Sequence, residues 1–157
     1  MTPLVLLDEL QAFVIKATKD IVLMSRERDE NDKRKESKIT VFKMRLPNKE
    51  AETQQVPYIL LQFINGKDLD DSDDVAYVRI VFTSYCEDRE QGSLDVLNVL
   101  STIRTNLLKL ISLGGYFTLK RPLEYMVYPE DTSPYYMGEM MTIWQMPDIK
   151  KEVQQWL

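Results

Sequence analysis

The stretch from Val75 to Gly115 constrains the fold most, because the spacing of its apolar residues changes once, from two to about 3.6. Between Val75 and Tyr85, Ala76, Val78, Ile80, Phe82 and Ser84 alternate with Val75, Tyr77, Arg79, Val81 and Thr83, which predicts a strand with one drier face. The polar run Glu87 to Gly92 breaks that pattern. Ser93 is the expected N-cap of the following helix, with Asp95 near the positive end of its dipole. Val96, Leu100, Ile103, Leu107 and Leu110 then recur at helical spacing, flanked by Leu97, Leu108 and Ile111, while Asn98, Arg104, Thr105 and Lys109 take the opposite face. Gly114 and Gly115 are expected to end the helix by accepting a left-handed backbone. Such a helix covers a sheet, and none of its residues does chemistry.

The remaining elements follow from the same reasoning. Thr2 and Pro3 open an N-terminal helix whose stripe is Leu7, Leu10, Val14, Ala17, Ile21 and Met24. From Ser25 to Lys38 nearly every residue is charged or polar, which predicts a mobile loop or a solvated helix extension. Strands are expected from Ile39 to Leu46 and from Pro57 to Ile64, the second apolar on both faces and hence central in a sheet. Asn65-Gly66 is expected to turn the chain into an acidic loop, Lys67 to Asp74. Beyond Gly115 come short extended segments, Tyr116 to Lys120 and Leu123 to Tyr128, and a last strand from Tyr135 to Met146. Pro147 is expected to open a short C-terminal helix with Ile149, Val153 and Trp156 on one side. The sum is an α+β chain with a mixed or antiparallel sheet of five to six strands, packed by an N-terminal and a long central helix.

With 157 residues, 44% of them hydrophobic, the chain suffices for one ordinary core, and a single domain is expected. A net charge of -5 argues against broad binding to a phosphate backbone. One cysteine and no histidine exclude an internal disulfide, a Cys/His zinc site, a Ser-His-Asp triad and a Cys-His dyad. No run approaches the roughly 20 apolar residues of a membrane span. The N-terminus lacks a basic leader and carries Asp8 and Glu9 in its apolar segment, so cytoplasmic synthesis is expected.

Three arrangements invite a chemical reading. Asp68, Asp70, Asp71, Asp73 and Asp74 form an acidic run, but an EF-hand loop from Asp68 needs glycine where Asp73 stands and glutamate where Arg79 stands; a solvated loop is the simpler reading. Glu36-Ser37-Lys38, with Asp29 and Asp32 upstream, has the outline of a metal-dependent nuclease motif in a segment where charges abound. Glu124 and Glu139 are the only acids in the apolar strands, more readily exposed or paired at an interface than catalytic. Cys86 lacks an activating base and reads as a buried small hydrophobe. The tyrosines and Trp144 lack the basic frame that base stacking needs. No catalytic residue, cofactor or metal is expected.

The order of elements resembles a known family. Ile80-Val81-Phe82-Thr83-Ser84-Tyr85, the polar break, the long helix, Gly115-Tyr116-Phe117-Thr118-Leu119, Pro122-Leu123-Glu124-Tyr125, and the run Pro134 to Pro147 ending Trp144-Gln145-Met146-Pro147 resemble the tail terminator (tail completion) proteins of long-tailed bacteriophages and prophages. The resemblance spans Pro57 to Ile149. It implies an α+β fold, a homohexameric ring that stops tail-tube growth, and a surface presented to the head. The partners it implies are further copies of the chain, the tail tube protein and a head-completion or connector protein. DNA would pass through the ring without sequence-specific binding, with the acidic loop from Asp68 to Asp74 either facing that channel or solvated on an outer face; no membrane partner is implied, and the virion tail would be assembled in the bacterial host cytoplasm. A ring subunit needs unlike patches that meet head to tail, and Trp144, Ile149, Val153 and Trp156 are the candidate interface residues. A metal-dependent nuclease using Glu36 and Lys38, and a cytoplasmic adaptor, are the alternatives.

Overall fold

The computed structural model describes residues 2–47, 56–70 and 74–153. Its elements run α1 (Pro3–Thr18), β1 (Val22–Arg28), β2 (Arg34–Lys38), β3 (Thr40–Lys43), β4 (Tyr58–Lys67), β5 (Val75–Tyr85), α2 (Arg89–Leu108), β6 (Thr118–Val127) and β7 (Tyr135–Gln145). The fold is α+β. A mixed five-stranded sheet has the order β3-β4-β5-β7-β6, in which β3 runs parallel to β4 and all other neighbours are antiparallel.

β5 forms over the span that its alternation predicts. Ala76, Val78, Ile80, Phe82 and Ser84 are buried on one face, opposite Met140, Thr142 and Trp144 of β7 and their neighbours. Both helices cover this face. α1 contributes Leu6, Leu7, Leu10 and Val14, and α2 contributes Val96, Val99, Leu100, Ile103 and Leu107, to a core shared with Val41, Ile59, Leu61 and Phe117.

α2 starts earlier than its apolar stripe implies. Asp88, not Ser93, is the N-cap, and its carboxylate accepts the Glu90 amide at 3.0 Å. The helix also stops at Leu108, before the glycines. Gly114 (φ 61°) and Gly115 (φ 79°) do take left-handed backbone, but in a tight turn closed by mutual Leu113 and Phe117 backbone hydrogen bonds. Local preference for a left-handed residue was legible; the element it serves was not.

Gly138 explains how closely α2 approaches the sheet. A Cβ there would lie 2.6 Å from Val96 Cγ1, 2.8 Å from Leu100 Cδ1 and 2.9 Å from the Met126 carbonyl oxygen. Gly138→Val is therefore expected to cost about 1–3 kcal/mol through overpacking, read as a lower urea midpoint at unchanged slope.

The segment from Ser25 to Lys38 is neither a mobile loop nor a helix extension. α1 ends at Thr18, and β1 and β2 form an antiparallel hairpin that includes Ile21's neighbours and Met24 of the expected helical stripe. Backbone pairing in a hairpin is indifferent to side-chain polarity, and the turn has its own chemistry. The Asp29 carboxylate accepts the amides of Asn31 and Lys33, both at 2.9 Å, and Asp32 takes a left-handed φ of 58°. The hairpin is docked by Met24, which packs on the cluster of Val56, Tyr58 and Tyr85. Arg34 secures it further, stacking over Tyr85 at 5.0 Å and donating to Glu87 at 2.7 Å. These hydrogen bonds hold Glu87 below the usual carboxylate range, Arg34 first and Tyr85 next.

Four smaller expectations also change. Asn65-Gly66 does not turn the chain; β4 runs through it to Lys67 with a bulge between Phe63 and Asn65. The segments on either side of Pro122 are one edge strand, β6, whose register shifts between Lys120 and Glu124. After Pro147 no helix forms among the described residues up to Val153. Thr2 sits at the N-cap of α1, but its side chain makes no capping hydrogen bond.

Candidate interaction surfaces

The sheet face opposite the helices is set by the same alternation that builds the core. Register places Gln62, Arg79, Met141 and Glu124 in one row across β4, β5, β7 and β6, with Leu60, Val81, Glu139 and Met126 in the next. Arg79 is the hub of that face. Its Nε donates to Glu139, its Nη2 to the Tyr128 hydroxyl at 2.7 Å, and its Nη1 to Gln62 Oε1 at 3.4 Å. Burial alone would lower the Arg79 pKa, but the bonds to Glu139 and Tyr128 outweigh it and raise it. Each of its three nitrogens donates, so the cluster ties three strands and the β6–β7 connection together rather than offering a free charge. Sequence reading missed it because Arg79 and Glu139 are far apart in the chain and meet only through register.

Of the expected interface residues, Trp144 does not belong to a surface. It is 0% exposed, and its indole nitrogen donates to Thr142 Oγ1 at 2.8 Å. The alternation of β7 turns it toward the helices, where Ala76 stands opposite on β5 and leaves room for the ring. Ile149 and Val153 are on the surface, 75% and 93% exposed, in a segment without regular structure. Trp156 lies outside the described residues. The structure thus separates Trp144 from the pair it was grouped with.

The acidic loop divides in the same way. Asp68 and Asp70 are exposed, while Asp74 is buried. The Asp74 carboxylate accepts the Leu69 amide at 2.8 Å and its carbonyl accepts the Met146 amide at 2.9 Å, so Asp74 is a loop staple and not a solvated or channel-facing charge. Asp71 and Asp73 lie outside the described residues.

The remaining chemical candidates are scattered. Glu36 is exposed on β2, paired across the hairpin with Met24, whereas Asp29 and Asp32 occupy the turn at its far end. Among the described residues no three His, Cys, Asp or Glu side chains are grouped to hold a metal. Glu124 is exposed and Glu139 is held by Arg79. Cys86 is buried, and burial pushes its thiol upward, away from the reactive thiolate. Among the described residues no helix is long and apolar enough to cross a membrane.

Sequence reading also passed over a groove between the C-terminal half of α2 and the edge strand β6, lined by Arg104, Leu108, Arg121, Pro122 and Leu123. Arg104 was legible only as the polar side of a helix. Comparison with known protein families gives no match, and none is found among curated proteins.

Proposed function

We propose that this chain is a tail terminator subunit, a structural protein that closes into a ring on the end of a tail tube, stops its growth and presents the opposite surface to a head-completion or connector protein. The reading rests on the resemblance of the Pro57–Ile149 region, and the observation that carries it is the C-terminal segment. Ile149 and Val153 stand in solvent, 75% and 93% exposed, on the segment that follows the last strand. Exposed apolar side chains of this kind are available as anchors, and a ring subunit needs such an anchor on one side and an unlike receptor on the other. The acidic residues Asp68 and Asp70 suit a channel through which DNA passes without adhering, since like charges repel. Partners are further copies, the tube protein and the head-side protein; no cofactor enters.

The experiment mixes the purified protein with tail tubes assembled without a terminator and measures tube length by electron microscopy. Wild type is expected to cap the tubes. Ile149→Asp with Val153→Asp is expected to fold normally, both positions being exposed, and to let tubes overgrow. Capping by that variant would remove the C-terminal segment from the interface, and failure by wild type would sink the reading.

A further inference from the structure

The groove between α2 and β6 mixes apolar and cationic lining. Leu108, Pro122 and Leu123 supply the apolar part, and Arg104 and Arg121 the cationic part. Arg104 is held in place over the Tyr125 ring, 5.6 Å from its centroid, which fixes the guanidinium without neutralising it. Among the described residues neither arginine has an acidic partner, in a chain where acids outnumber Lys and Arg by 25 to 20. At about 290 Å³ the groove falls at the small end for a metabolite site and suits a single side-chain anchor. It therefore calls for an apolar side chain flanked by carboxylates.

The chain carries that group itself, elsewhere. In Asp68-Leu69-Asp70 the leucine is 54% exposed between two exposed carboxylates. The buried Asp74 carboxylate, accepting the Leu69 amide, stiffens the segment, so ordering it on binding costs less. This loop leaves β4 and enters β5, whereas the groove lies along β6, with β7 between β5 and β6. Groove and loop are thus unlike patches on different parts of one subunit, as a head-to-tail contact requires.

We propose that the groove of one copy receives the Asp68-Leu69-Asp70 loop of the next, with Leu69 on Leu108, Pro122 and Leu123, and Asp68 and Asp70 facing Arg104 and Arg121. The proposal rests on the ring reading and names the contact that closes the ring. It also assigns the acidic loop to the subunit interface in place of the channel.

The contact is tested by charge exchange. Arg104→Glu with Arg121→Glu, and separately Asp68→Arg with Asp70→Arg, are expected to weaken self-association on the order of a hundredfold, because each places like charges in contact. An equimolar mixture of the two variants is expected to restore assembly, each groove now meeting an opposite loop, in rings that alternate the two proteins. A second readout is Leu69→Cys with Pro122→Cys, which under mild oxidation is expected to give a ladder of covalently linked copies, at high concentration or on tail tubes. No ladder under either condition, or a mixture no better than its components, overturns the contact. Loss of retention of a duplex DNA oligonucleotide in Arg104→Glu with Arg121→Glu, with self-association intact, overturns it in favour of a phosphate site. If wild type caps tubes while the exchange fails, only this contact falls; if the exchange succeeds while wild type caps nothing, the terminator reading falls and the contact stands.

Discussion

Trp144→Ala is expected to destabilise the fold by about 3–5 kcal/mol, the range for deleting a buried aromatic side chain. The indole is fully buried, and the small Ala76 opposite cannot refill the space. The substitution also breaks a short polar chain. Trp144 Nε1 donates to Thr142 Oγ1, and that hydroxyl donates to the Val78 carbonyl, both at 2.8 Å. Alanine leaves the hydroxyl with one partner fewer inside the core, a smaller penalty than the cavity because its own proton stays satisfied. Trp144→Phe separates the terms, since it keeps most of the volume and loses the donor, and it should cost markedly less. Chemical denaturation of both variants decides the matter. A loss below about 1 kcal/mol for alanine would return Trp144 to the surface, where typical substitutions stay within half a kilocalorie.

The misplacement of Trp144 shows where sequence reading reached its limit. Its period-two pattern was correct, and β7 does bury Met140, Thr142 and Trp144 on one face. What periodicity does not carry is which face of a strand meets the helices when both faces hold large side chains, as Met141 and Ile143 do on the other. The span of β5 was legible because its alternation is unbroken, although Val75, Val81, Thr83 and Tyr85 on the second face are buried as well. The hairpin from Val22 to Lys38 was not, because its stability lies in backbone pairing, in an aspartate-capped turn and in Arg34 and Met24 docking on residues near 58 and 85. The acidic loop was legible as charge, but the burial of Asp74 depends on an amide five positions away. The Arg79 cluster and the Arg104–Arg121 groove exist only after strands and helix are brought together, so no local signal marks them. Ile149 and Val153 are exposed, but the short helix expected to carry them on one side does not form among the described residues.

The central helix offers the second large effect. Ile103→Ala and Leu107→Ala are each expected to cost about 2–5 kcal/mol, because both side chains are completely buried on the stripe that α2 lays over the sheet. Where each falls within that range depends on how far its surroundings can collapse. Gly138 lets the helix approach so closely that Val96 and Leu100 already touch the sheet backbone, which limits further settling of α2 around a cavity. Leu97 supplies the control. It belongs to the same helix and was read as part of the same apolar flank, yet it is 44% exposed, so Leu97→Ala should remain within about half a kilocalorie of wild type. Denaturant midpoints at constant slope for the three variants test the assignment. Equal losses at 97, 103 and 107 would show that Leu97 is as buried as the other two, and would place the core on a different face of α2.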